Sequence, residues 1–219
     1  MKAFLILEDG TVFEGVHIGA VREVISEIVF NTSMAGYLEV LTDPSYAGQA
    51  VCMTYPLIGN YGICSDDMES LKPWPDGFIV RELSRISSNF RSDLTIQQFL
   101  EENNVPGIAG VDTRALTQIL REKGTMNGMI TTDENYNPAL ILPQLKQYTT
   151  GKVVEKVTCS HKYHFELKEQ SLQEPLSQRG KKVALLDFGA KDNIASSLVR
   201  RGCQVTVYPA NTKAEEIIG

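Results

Sequence analysis

The sequence predicts an α/β protein: a mixed α/β domain followed by the start of a parallel sheet. Three observations predict this class: a hairpin pattern near residue 10, two capped amphipathic helices, and a strand–turn–helix–strand pattern at 182–212. The predicted first domain covers 1–150 and an incomplete second domain covers 182–219. Between them, 151–181 is predicted to be a linker with one strand at 153–157, because charge rises there and the apolar pattern weakens.

The first third of the chain predicts β-strands. "FLILEDGTVFEG" alternates apolar and polar residues around Asp9-Gly10, a dipeptide typical of hairpin turns. "VREVISEIVFN" and "AVCMTYP" are predicted to be two further strands, the second ended by Pro56. Between them, "NTSMAGYLEVLTDPSYAGQ" is predicted to be a long loop with a short helix inside it.

Helix signals dominate the middle of the chain. "TIQQFLEENN" begins with Thr95 and Gln98 at the spacing of a capping box. "DTRALTQILREKG" has Asp112 as its N-cap and Gly124 as its terminator. "GMITTD" is predicted to be a strand, and "PALILPQLKQY" is predicted to be a helix that begins at Pro138.

The composition argues against several classes of partner. The 219 residues carry a net charge of −6, whereas a nucleic-acid site needs clustered Lys and Arg, so we expect no nucleic-acid partner. No apolar stretch approaches the roughly 18 residues of a membrane helix, and the start is too short for a secretion signal. We therefore expect no membrane partner. The four cysteines form no CxxC motif, which predicts reduced thiols in a cytoplasmic protein: Cys52, Cys64, Cys159 and Cys203.

Two motifs resemble catalytic signatures but lack the required context. Asp187-Phe188-Gly189 matches the magnesium-binding tripeptide of kinases, yet no Gly-rich phosphate loop or catalytic loop accompanies it. A receiver-like phospho-acceptor role for Asp187 is a weaker alternative, and most simply the residue orders a strand-to-helix turn. Cys64 in "YGICSDD" lacks the flanking strand, helix and second glycine of a nucleophile elbow, which favours an incidental loop thiol.

A metal site in "CSHKYH" is also disfavoured. Cys159, His161 and His164 lie within six residues, but a structural zinc site needs a fourth ligand and usually two separated pairs. We therefore predict no metal in this chain.

The loop at 30–49 carries the most information. Gly36 and Gly48 permit a positive φ, Pro44 fixes a turn after Asp43, and several small polar side chains accompany two tyrosines. Such a loop is suited to contact a ligand or a partner, and a self-satisfied structural loop is equally consistent with it.

Four blocks in order resemble the small, glutamine-using subunit of carbamoyl-phosphate synthase. They are "FNTSMAGYLEVLTDPSYAGQ", "TYPLIGNYG", "GVDTRALTQILREKG" and "VALLDFGAKDNIASSLVRRGCQVTVYPANT". The resemblance implies a small-subunit N-terminal domain followed by the first βαβ unit of a flavodoxin-like class I glutamine amidotransferase domain. This sequence departs from the family pattern at two positions: Ala35 stands where the family commonly has Thr, and Leu38 stands where it commonly has Gln.

The resemblance implies a subunit that hydrolyses L-glutamine with a Cys-His-Glu triad and passes ammonia to the large synthetase subunit. The large subunit uses ATP and Mg²⁺ to make carbamoyl phosphate from bicarbonate, for arginine or pyrimidine biosynthesis. No position here matches the triad, which we expect beyond Gly219, so we predict no catalytic residue, no cofactor and no activity for this chain alone. One substrate-binding residue carries over, Ser45 of "TDPSY", which is expected to contact glutamine.

One alternative is a non-catalytic protein that docks on the large subunit and regulates it. In either case, a lone βαβ unit is expected to leave apolar faces uncovered. The residues concerned are Val183, Leu185, Val205 and Val207.

Overall fold

The computed structural model describes residues 1–167 and 180–218. It divides into two units: Met1–Thr42 with Tyr46–Gly151, and Asp43–Ser45 with Lys152–Gly219. Residues 168–179 of the predicted linker lie outside the described residues.

The first unit is built around a closed sheet of seven strands. In chain order these are β1 (Lys2–Leu7), β2 (Val12–Gly19), β3 (Val24–Asn31), β4 (Gln49–Met53), β6 (Gly77–Ile79), β8 (Pro106–Ala109) and β9 (Met126–Thr131). The order around the sheet is β1-β2-β8-β6-β4-β3-β9, and β9 pairs with β1 to close it. Two short strands, β5 (Leu57–Ile58) and β7 (Glu82–Leu83), pair in parallel outside it.

Parallel and antiparallel pairing divide this sheet in two. β3, β4, β6 and β8 run parallel to one another, whereas β1, β2 and β9 join them by antiparallel pairs. The predicted hairpin is the β1–β2 pair, and Gly10 turns it with a φ of 89°. The strands predicted at "VREVISEIVFN", "AVCMTYP" and "GMITTD" are confirmed as β3, β4 and β9.

Four helices pack on this sheet: α1 (Tyr37–Leu41), α2 (Ile96–Glu102), α3 (Thr113–Lys123) and α4 (Pro138–Gln147). The capping box of Thr95 and Gln98 is present, and the Asp112 carboxylate accepts the Ala115 N–H at 3.0 Å. The predicted helices are therefore confirmed, including the short one inside the loop at 31–49.

One buried cluster fills the interior of the closed sheet. It combines side chains from six strands with Leu116 and Leu120 of α3, and six strands can share one cluster only inside the closed sheet. Each fully buried aliphatic side chain contributes about 1.5–3 kcal/mol. The strand residues that form its centre are Leu5, Ile28, Ile79, Ile108 and Ile130.

The second unit contains a three-stranded sheet in the order β10-β12-β11. Its strands are β10 (Tyr163–His164), β11 (Lys182–Asp187) and β12 (Gln204–Pro209), and its helices are α5 (Val153–Val157), α6 (Asp192–Arg200) and α7 (Ala214–Ile218). β11 and β12 are parallel and α6 connects them, so the predicted strand–turn–helix–strand unit is confirmed.

Two expectations for this unit are wrong. The strand predicted at 153–157 is the helix α5, in which Val157 is buried and Val154 is exposed. The apolar faces of the βαβ unit are largely covered: Val205 and Val207 are each only 2% exposed, because they pack against Ala195 of α6, and Val183 and Leu185 are partly buried against the same cluster. β10 also pairs antiparallel with the edge of β12. The mixed α/β class predicted from the sequence is confirmed. In residues 1–167 and 180–218, no helix has the length and apolar character needed to cross a membrane.

Candidate functional site

The start of the loop at 31–49 is held by a pair of tyrosines. The Tyr37 and Tyr61 rings stack with centroids 4.1 Å apart and planes 16° from parallel. The Tyr61 hydroxyl oxygen accepts the backbone N–H groups of Gly36 (2.6 Å) and Tyr37 (3.2 Å), and the Tyr37 hydroxyl donates to the Gly62 carbonyl at 2.7 Å. Gly36 has a φ of 81°, a left-handed conformation that glycine adopts without strain. The ring stacking and these hydrogen bonds therefore hold the segments "AGYLEV" and "GNYG" against each other.

The end of α1 is held by a buried threonine. The Thr42 hydroxyl donates to the Leu38 carbonyl at 2.8 Å and accepts the Glu69 N–H at 2.8 Å. Ser70 donates its hydroxyl to the Thr42 carbonyl at 2.6 Å. Since Thr42 is 0% exposed, these hydrogen bonds satisfy its polar groups without water.

Ser45 follows in a tight turn, of which Asp43–Ser45 belong to the second unit. Pro44–Tyr46 form a single 3-10 turn, and the Ser45 N–H donates to the Asp43 carboxylate at 2.9 Å. The other Asp43 oxygen lies 2.6 Å from Nζ of Lys191. Ser45 itself is exposed, so its hydroxyl is accessible to a ligand. The sequence identified the Asp-Pro-Ser turn; it gave no sign of the Lys191 contact.

The turn after β11 contacts the same segment. Gly189 has a φ of 95°, and a Cβ there would lie 3.0 Å from Cγ2 of Val157 and 3.1 Å from Cβ of Pro44. A side chain at this position would strain the positive φ and push its neighbours away by a few tenths of an ångström. The turn at 188–191 therefore lies directly against the residue that precedes Ser45.

Asp187 orders this turn. One carboxylate oxygen accepts the N–H groups of Gly189 and Ala190, both at 2.9 Å, and the other accepts the Cys159 N–H at 2.7 Å. Asp187 is 8% exposed. A phospho-acceptor needs an accessible carboxylate, whereas this one is buried and bonded to three amides, which favours the role of ordering the turn.

The cysteines and histidines show no catalytic arrangement in the described part of the chain. Cys64 is buried, and only a 3-10 turn at Ser65–Asp67 follows it, not the helix of a nucleophile elbow. Burial raises the pKa of the Cys52 thiol to about 12, which makes it a poor nucleophile. Burial and the nearby Asp187 carboxylate raise the pKa of Cys159 as well.

The residues considered for zinc do not converge. His164 is hydrogen-bonded to the Thr206 hydroxyl at 3.0 Å, and His161 is hydrogen-bonded to the Ser160 hydroxyl at 3.0 Å. Among the described residues, no group of three or more His, Cys, Asp or Glu is placed to hold a metal ion.

Fold and site together define a two-part α/β protein: one unit is a closed mixed sheet, and the other is a parallel sheet whose first turn contacts the Asp43–Ser45 segment. A family model, the CPSase domain of the carbamoyl-phosphate synthase small chain, matches residues 5–130, more than half of the chain. The chain belongs to the carbamoyl-phosphate synthase small chain family.

Individual relatives agree with this assignment. The carbamoyl phosphate synthase small chain of Clostridium perfringens is 50% identical over 218 residues, which cover 100% of this chain and 59% of the relative. That of Vibrio vulnificus is 46% identical and covers 99% of this chain and 60% of the relative. The chain thus spans about three fifths of the length of these relatives.

One solved structure gives a weaker match. An aminopeptidase from Aneurinibacillus sp. strain AM-1 is 16% identical, with a TM-score of 0.36, over 59% of this chain and 30% of the aminopeptidase. Similarity at this level carries no conclusion about fold or function.

Proposed function

We propose that this chain is part of the glutamine-hydrolysing small subunit of a carbamoyl-phosphate synthase. The subunit releases ammonia from L-glutamine and passes it to the large synthetase subunit, which uses it to make carbamoyl phosphate from bicarbonate and ATP. The observation that carries this proposal is the family match over residues 5–130. The subunit works in the cytoplasm as a heterodimer with the large subunit, for arginine or pyrimidine biosynthesis.

The second unit supplies the beginning of the flavodoxin-like amidotransferase domain. Its parallel β11–α6–β12 arrangement is the type of unit from which such sheets are built. Ligands of parallel α/β sheets bind beyond the carboxyl ends of the strands, which is where the turn after β11 lies. Ser45 then contacts glutamine from beside this turn, and Asp43 holds it there. The 219 residues alone release no ammonia from glutamine, because the catalytic triad is not among them.

Kinetics of the whole small subunit, assembled with the large subunit, test the role of Ser45. Ser45→Ala is expected to raise the KM for glutamine about tenfold, since a hydrogen bond to a charged group contributes about 1.5–3 kcal/mol. Synthesis from free ammonia is expected to remain unchanged. Ser33→Ala is the matched control, because Ser33 is an exposed serine of the same loop. Equal KM values for the two variants would contradict the assignment of Ser45.

An assay of the 219 residues tests the proposal that they release no ammonia from glutamine on their own. Ammonia release from glutamine is expected to equal that of a buffer blank. A rate that disappears in Cys64→Ser would overturn it.

A further inference from the structure

A cleft of about 610 Å³ lies at the carboxyl ends of the parallel strands in the first unit. Thr32 directly follows β3, Thr54 directly follows β4, Arg81 lies two residues beyond β6, and Asp112 lies three residues beyond β8. All four residues line the cleft. In parallel sheets, ligand sites form at this edge because the loops that follow neighbouring strands converge there. The closed sheet therefore presents a site-forming edge in the first unit, which does not contain Ser45.

The cleft is lined by three arginines. Arg114 and Arg121 lie seven residues apart on α3, at helical spacing that puts them on the same face, and Arg81 lies in the short segment between β6 and β7. All three side chains are exposed, and none has a carboxylate within 4.0 Å in residues 1–167 and 180–218. A guanidinium group stays protonated at any physiological pH. Three positive charges without an ion-pair partner in the described residues therefore line one cleft.

One carboxylate lines the cleft, and it is already engaged. Asp112 caps α3 by accepting the Ala115 N–H at 3.0 Å. The lining thus carries three positive charges and one negative charge, in a protein whose net charge is −6. A local excess of positive charge in an acidic protein attracts anions to that place.

The arginines stand on rigid supports. α3 is anchored by Leu116 and Leu120, which are 0% and 4% exposed and pack in the interior cluster of the closed sheet. The Arg81 carbonyl accepts the Gly110 N–H at 2.9 Å, which ties its backbone to the residue after β8. The backbone that carries the three charges therefore needs no ordering when a ligand binds, so the entropic cost of association is confined to the arginine side chains.

We propose that this cleft binds a small anionic ligand that carries at least two phosphate or carboxylate groups. Arginine presents its donors in a planar fork that matches both groups in a bidentate way. The volume lies within the roughly 300–1,000 Å³ of small-molecule sites, which favours a free anion over an extended peptide. The site is distinct from the proposed glutamine contact and does not depend on it.

Isothermal titration calorimetry on the full chain, at constant ionic strength, tests the proposal. Pyrophosphate probes for a phosphate ligand and citrate for a carboxylate ligand, and the one that binds more tightly identifies the class. Arg114→Gln and Arg121→Gln are each expected to weaken that binding about tenfold, as the loss of a charge-assisted hydrogen bond predicts.

Arg91→Gln is the matched control, because Arg91 is an exposed arginine that does not line the cleft and lies 3.5 Å from Asp67. It removes the same charge and is expected to change the affinity less than twofold. Trp74 fluorescence and circular dichroism verify that each variant is folded. The proposal is overturned if neither anion binds at 10-fold molar excess over about 1 mM chain, or if Arg91→Gln weakens binding as much as the cleft variants.

Discussion

The carboxylate of Asp43 lies 2.6 Å from Nζ of Lys191 and also accepts the N–H of Ser45. The Asp43 side chain is 9% exposed and that of Lys191 is 41% exposed, so water screens the pair on one side only. One aspartate thus connects a turn early in the chain with the residue that immediately precedes α6. We expect this pair to hold the Ser45 turn in place.

The first prediction concerns the strength of this ion pair. A double-mutant cycle with Asp43→Asn and Lys191→Met is expected to give a coupling free energy of about 1–2 kcal/mol, between the values of exposed and fully buried pairs. Asn keeps an oxygen for the Ser45 N–H, so the cycle isolates the charge. Native-state hydrogen exchange of the β11 and β12 amides measures the stability of this unit.

The control pair is Lys152 and Glu155, which are 3.1 Å apart with side chains 84% and 70% exposed. Its coupling is expected to lie below about 0.5 kcal/mol. If both cycles give the same value, the Asp43–Lys191 contact contributes no more than an ordinary surface pair.

The second prediction separates crowding from backbone strain at Gly189. Gly189→Ala combines a φ of 95° with a Cβ 3.0 Å from Val157, whereas Gly124→Ala has a φ of 89° and no atom within 4 Å. The free energy of unfolding of both variants is expected to fall by about 1 kcal/mol, because alanine is strained at a left-handed φ. Gly189→Ala is expected to lose a further 1–3 kcal/mol, roughly, from overpacking.

Hydrogen exchange in the unit that contains each substitution measures the loss of stability in each variant. Val157→Ala is expected to recover part of the loss in Gly189→Ala, because it removes the closest atom. A double variant no more stable than the single one would show that crowding is not the cause.

The third prediction is a pH dependence that originates at Tyr37. Burial raises the pKa of Tyr37 above the usual 10.0, and the neighbouring Tyr61 adds to this; the pKa of Tyr61 is raised by burial as well. Above pH 10 the unfolded chain loses protons that the folded chain keeps, so the free energy of unfolding falls as the pH rises. Below pH 10 this contribution is fully present.

Tyr37→Phe is expected to make this decline shallower between pH 10 and 11. At pH 7 it is expected to cost about 1 kcal/mol, because the Gly62 carbonyl loses its 2.7 Å donor. Urea unfolding followed by Trp74 fluorescence measures both effects. Tyr55→Phe, at a tyrosine that is 40% exposed, is the control for the cost at pH 7 and should cost less than Tyr37→Phe.

Local chemistry in the sequence predicted local structure well. The capping box at Thr95 and Gln98 and the N-cap at Asp112 involve neighbours within four residues, and all are present. The sequence at 153–157 predicts a strand and the structure has a helix, because five residues with three valines are too few to distinguish the helical period from the strand period. Valine favours strands, but burial of Val157 alone suits a single helical turn.

Distant pairings left no local signal. Nothing near Asp43 indicates Lys191, and nothing in "REKG" or "DTRAL" indicates that Arg81 faces the same cleft. The closure of the sheet, which brings four parallel strand ends together, depends on pairings between segments far apart in the chain. The glutamine contact of Ser45 stays a prediction.

The closed sheet also sets an order of events during synthesis. Lys2 pairs with Val16, so the β1–β2 hairpin can form as soon as both strands leave the ribosome. The other side of β1 waits much longer, because Phe4 pairs with Thr131 on β9. Until then β1 has one unpaired edge, which can pair with another nascent chain. A long-range closure of this kind folds slowly, so the free edge of β1 stays accessible for longer than the local hairpin takes to form.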